Sequence, residues 1–141
     1  MKRTFALLLL MPFSQNALAA DVFRCEEPKG IAMWSMDSHK PNPDGFAGVS
    51  PVVIVEGDEM RVVWGDTKQS STPDDHIWKA TVIQNTPATI SGIALDQGPD
   101  GSAAMLYTVD VKRRLLYMST HKSSARLNAS GASSFVSKCS K

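Results

Sequence analysis

Pro51-Val52-Val53-Ile54-Val55-Glu56-Gly57-Asp58-Glu59-Met60-Arg61-Val62-Val63-Trp64 is the stretch on which the fold turns. Two runs rich in β-branched residues flank a turn through Glu56-Gly57-Asp58-Glu59, which predicts a β-hairpin. Pro51 opens the first run, where a missing N–H costs no ladder hydrogen bond. The same grammar repeats outward along the chain. Ala103 to Val111 turns near Lys112-Arg113-Arg114 into Leu115 to Thr120, and Ala103, Met105, Tyr107, Val109 and Val111 share one face at period two. Ile77 to Gln84 pairs with Ala88 to Leu95 around Asn85-Thr86-Pro87, and Gly98-Pro99-Asp100-Gly101 is a further turn. Short strands are also expected over Asp21 to Glu27, Ile31 to Asp37 and Ser133 to Cys139. Residues 38–45 read as loop from their prolines, Asn-Pro and Asp-Gly, and a second loop runs from Gly65 to Asp75, with room for one helical turn at Thr72-Pro73-Asp74-Asp75.

No window carries a sustained helical apolar stripe. The fold expected is all-β: one small antiparallel barrel or sandwich of about eight or nine short strands. Phe23, Ile54, Val62, Tyr107, Val109 and Phe135 are the expected core.

The first 19 of the 141 residues read as a cleaved secretory signal. Lys2 and Arg3 supply its charge, Phe5 to Phe13 its apolar run, and Ala17-Leu18-Ala19 the small-x-small cleavage pattern. That run is too short for a bilayer, which needs about 20 apolar residues. A single β domain, 20–141, is then expected in the periplasm or the medium. Without Lys2 and Arg3, 13 basic side chains face 14 acidic ones, a net charge of −1. Such a balance excludes the basic excess of a nucleic-acid binder.

Cys25 and Cys139 are the two cysteines, and an even pair in an exported chain reads as a disulfide. It would tie the N- and C-terminal strands together, which favours a barrel, where first and last strands are neighbours. Val22-Phe23-Arg24 before Cys25 does not resemble a lipobox, so no lipid anchor is expected. In layout, with a signal and short strands enclosed by terminal cysteines, the chain resembles small periplasmic barrels, among them the C-type lysozyme inhibitors. The resemblance implies a lipocalin-like or lysozyme-inhibitor-like architecture and carries over no site residue.

Chemistry-bearing motifs are scarce. His39, His76 and His121 form no His-x-His or His-Glu-x-x-His pattern, and Asp74-Asp75-His76, the nearest approach, reads first as a polar loop. There is no Gly-x-Ser-x-Gly elbow and no phosphate-cradling glycine loop. No catalytic residue, metal ligand or cofactor is therefore assigned. Lys112-Arg113-Arg114 reads as a solvated hairpin turn before it reads as a contact for an acidic partner.

Aromatic residues are the more informative group. Trp34, Trp64 and Trp78 either fill the barrel or line a ligand cavity; filling is the expectation, because small barrels are usually packed with side chains. Asp44-Gly45-Phe46-Ala47-Gly48-Val49 is either a binding lip or a loop tucking Phe46 over a barrel end. The leading functional expectation is a non-catalytic binding module that meets an envelope or extracellular protein through loops 38–50 and 65–75, around His39, Phe46 and Asp74. The alternatives are a lipocalin-like carrier of a small apolar ligand and a small hydrolase whose site is assembled across strands.

Overall fold

A computed structural model describes residues 20–46, 48–65 and 77–141 of the chain. Ten strands run through them: β1 (Asp21–Cys25), β2 (Lys29–Trp34), β3 (Asn42–Gly45), β4 (Pro51–Glu56), β5 (Glu59–Trp64), β6 (Ile77–Asn85), β7 (Thr89–Gly98), β8 (Gly101–Asp110), β9 (Leu115–Ser124) and β10 (Ala129–Ser140). All pairings are antiparallel, in the order β1-β4-β5-β6-β7-β8-β9-β10-β2-β3, and β1 also pairs with β10. That last pairing closes an eight-stranded barrel, leaving β2 and β3 as an extension from β10. The barrel reading holds and the sandwich does not. No helix among the described residues is long and apolar enough to cross a membrane.

Parity along each strand fixes what faces inward. Phe23, Val53, Val55, Met60, Val62, Ala80, Ile90, Met105, Tyr107, Val109, Leu116, Met118 and Phe135 form one continuous buried cluster. Ile54 departs from the expected core: it is half-buried on the outer face, opposite Val53 and Val55. The run Val52 to Val55 is apolar on both sides, so its composition could not say which side is inner.

Three boundaries also differ. Asn42-Pro43-Asp44-Gly45, expected as loop, is the strand β3. It lies at the end of the sheet, where proline is tolerated because its missing donor can face solvent. β2 begins at Lys29 and stops at Trp34, and Ser35–Asp37 is a 3-10 turn. β10 is longer than expected, starting at Ala129.

Cys25 and Cys139 are directly opposed across the β1–β10 seam and are disulfide-bonded. Beyond Cys25 the strand breaks at Glu26-Glu27-Pro28, where the Ser137 hydroxyl donates to the Glu26 carbonyl. The chain then rejoins the same edge of β10 as β2. At one end of the barrel, the edge of β10 is therefore taken by β2 and β3 rather than by β1 and β4. The sheet splays there, and Phe46, just past β3, accepts from the Val49 N–H at 3.0 Å through its carbonyl.

Candidate functional site

The splayed end carries the aromatic residues. Trp64 follows Met60 and Val62 on the inner face of β5, and Trp78 opposes Val62 from β6. Trp34 follows Ala32 on the inner face of β2 and opposes Gly131 of β10. Its indole lies over that glycine: a Cβ at 131 would sit 2.5 Å from Trp34 Cε3. Glycine at 131 is thus what allows the ring to lie on the inner surface. Phe46 leans in from the loop, stacked on Trp64 with ring centroids 4.7 Å apart and edge-on to Phe135 at 4.9 Å. This is the tucked arrangement rather than the exposed lip.

Beneath these rings lies a chamber of about 180 Å³, lined by Phe46, Trp64, Trp78, Met105, Tyr107 and Met118, with Thr120 and Lys122 toward the rim. A shallower vestibule of about 390 Å³ shares Trp78 and Lys122 with it and adds Trp34, Asp96 and the tip of the β7–β8 hairpin. All three tryptophans therefore line one or both hollows at the same end. Trp78 has no stacked ring partner among the described aromatic residues.

Polar groups in the chamber are few. Thr120 Oγ1 and Ser133 Oγ share a hydrogen bond of 2.6 Å. The Tyr107 hydroxyl, on a residue only 1 % exposed, donates to the Met105 thioether at 3.3 Å. Sulfur is a weak acceptor, and burial pushes the phenol well above its ordinary value of 10.0. Lys122 is the only cationic lining residue of the chamber, no Asp or Glu lines it, and no ion pair engages Lys122 among the described residues. Sequence reading passed over Lys122, because His121-Lys122-Ser123-Ser124 looks like a solvated strand end. The available signal was parity: 122 continues the inward row of Leu116, Met118 and Thr120.

The other candidates fall elsewhere. His39 lies outside the barrel, where Ser38 and His39 both adopt left-handed backbone, with φ of 54° and 58°. It borders a trough of about 500 Å³ on the outer face, with Met33, Leu95, His121 and a floor of alanines and serines from β8, β9 and β10. Phe46 and His39 thus serve different surfaces. Asp74, Asp75 and His76 lie outside the described residues, as does most of loop 65–75. Arg113 of the basic run is engaged with Asp110, through its backbone N–H at 2.8 Å and Nη1 at 2.9 Å. The backbone N–H foremost, and then the guanidinium, hold the Asp110 carboxyl below the usual range. That turn sits at the end opposite the tryptophans.

Among the described residues no three His, Cys, Asp or Glu side chains gather as a metal ion would require. Comparison with known proteins gives no match: no family model, no curated protein and no solved structure resembles the chain closely enough to assign it.

Proposed function

We propose that this protein is a non-catalytic binding protein that holds a small, largely apolar ligand at the tryptophan end of its barrel. The observation that carries the reading is the convergence of Phe46, Trp64 and Trp78 on a chamber with Tyr107, Met105 and Met118 as its floor. Small-molecule sites are concave, mostly apolar and aromatic, with a few placed polar groups. The chamber has that composition. The reading of residues 1–19 as an export signal, together with the disulfide, fits a carrier working in the periplasm or the medium.

Chemical-shift mapping with single-ring aromatic compounds tests this directly. The expected perturbations fall on Trp64, Trp78, Met105, Tyr107 and Met118. Perturbations confined to the outer surface, or none at all, would refute it.

A second reading keeps recognition on the outer face, with a protein of the envelope or the extracellular medium as partner. It rests on the trough beside His39 and the apolar residues around it, of which Leu95 is 70 % exposed. Loop 38–50 would then contribute through His39 rather than through Phe46. The H39A variant would lose partner capture under this reading and leave ligand binding in the chamber untouched.

A further inference from the structure

We infer that the occupant of the chamber is a small aromatic acid: one ring seated among Phe46, Trp64 and Trp78, with a carboxylate one or two bonds away meeting the ammonium of Lys122. The inference rests on the carrier reading above and adds to it the size and charge of the ligand.

Size comes from volume. An apolar cavity of roughly 150 Å³ holds a benzene molecule. A chamber of about 180 Å³ therefore matches one ring and a short substituent, and anything longer has to extend into the vestibule. Ring character comes from the walls. Aromatic pairs prefer offset-stacked or edge-to-face contacts, and Trp78 offers an indole face that no protein ring occupies among the described residues. Phe46 already covers one face of Trp64, so a ligand ring completes a set of aromatic contacts that the protein leaves unfinished on the Trp78 side.

Charge comes from the donors. The hydroxyl of Tyr107 has only a thioether partner, and Lys122 has no carboxylate partner among the described residues. Both are donors, and among the described residues the chamber lining contains no carboxylate to receive a ligand cation. Asp96 and Lys122 both line the vestibule, but of the two only Lys122 also lines the chamber. Lys122 itself is exposed, so what it adds is a charge-assisted hydrogen bond to an anion that the seated ring carries to it.

The test is calorimetric titration of the purified protein with phenylacetate, benzyl alcohol, 2-phenylethylamine and decanoate, repeated on the K122Q and K122R variants. Phenylacetate should bind about tenfold more tightly than benzyl alcohol, and both more tightly than the amine or decanoate. K122Q should erase the preference for the acid while leaving benzyl alcohol unchanged, and K122R should retain it. Equal binding of acid and alcohol, or tightest binding by the amine, would overturn the charge assignment and leave the carrier reading standing. Tightest binding by decanoate would overturn the size assignment alone. Failure of all four ligands to bind would overturn both this inference and the carrier reading.

Discussion

Tyr107 shows how a single residue ties the core to the proposed site. Its ring is fully enclosed between strands of the barrel, yet among the described residues its hydroxyl has only the Met105 sulfur to donate to. Tyrosine rather than phenylalanine at such a position gains little from so weak a hydrogen bond, and carries the cost of burying a polar group. Burial keeps the phenol protonated above its ordinary value of 10.0, whereas in the unfolded chain it ionises near that value. The stabilising difference is fully present below pH 10 and is lost as pH rises from there toward the folded-state value, because the unfolded state then holds fewer protons. Between pH 10 and 11 the wild-type protein should lose up to about 1.4 kcal/mol of stability per pH unit that the Y107F variant keeps. Denaturant titrations of the two proteins at pH 8 and pH 11 would show it. Parallel losses in both would mean that the hydroxyl is solvated in the folded state.

At the scale of elements, Phe46 is what packs the end of the β2–β3 extension against the aromatic rim of the barrel. The residue is held between Trp64 and Phe135. Replacing it by alanine removes two aromatic contacts and leaves a void against the rim of the chamber. A cost of about 2 kcal/mol is expected for a half-buried phenylalanine, below the full-burial range. Urea unfolding of F46A would measure it, and a change under about 0.5 kcal/mol would mean that the loop is not held by this ring. The sequence foretold this arrangement unevenly. The β4–β5 hairpin was legible because β-branched runs and a glycine turn agree, and its observed register of Pro51 with Trp64 is the one that turn implies. Asn42–Gly45 was not, since its composition is that of a loop and only the neighbouring β2 makes it a strand. Ala129 to Ala132 has equally little intrinsic strand preference, and it is held by β9 along its length and by β2 from Gly131 onward. The inward parity of Trp64 and Trp78 could be read from each strand alone. That Trp34 joins them at one end could not, because it depends on β2 resuming on the edge that β1 leaves, and no local pattern says which edge the chain rejoins after the break.

For the whole molecule, the weak place is the seam where the barrel closes. β9 and β10 pair from Ser124 with Ala129 down to Leu115 with Lys138, whereas β1 and β10 share Arg24 with Ser140 and Cys25 with Cys139, followed by one hydrogen bond from the Glu26 N–H to the Lys138 carbonyl. The disulfide stands at the second of these pairs. It can act in two ways. It shortens the loops available to the unfolded chain, and it fastens a seam that has little backbone pairing of its own. Both effects lower stability when the bond is removed, by about 2–5 kcal/mol for a small domain, so a melting temperature cannot separate them. Hydrogen exchange can. If the bond acts only on the unfolded ensemble, the C25A/C139A variant should show every slow amide accelerated by the same factor, since each then exchanges through global unfolding. If it fastens the seam, amides of Phe23 and Arg24 and those near Lys138 should open separately, about tenfold or more beyond the acceleration at Tyr107, Val109 and Leu116. The second outcome is expected here, because past Cys25 the β1–β10 ladder continues only through the Glu26 N–H to the Lys138 carbonyl, at 2.8 Å, before Glu27-Pro28 interrupts it. The tryptophan end should be spared in that variant: β2 holds the N-terminal half of β10 through its own ladder, Gly131 with Trp34 to Val136 with Lys29, and this ladder does not pass through the disulfide. Retained binding in the chamber alongside fast exchange at the seam would place closure and ligand recognition in separable parts of one sheet. Loss of both together would show that the barrel must be closed before its aromatic end can form.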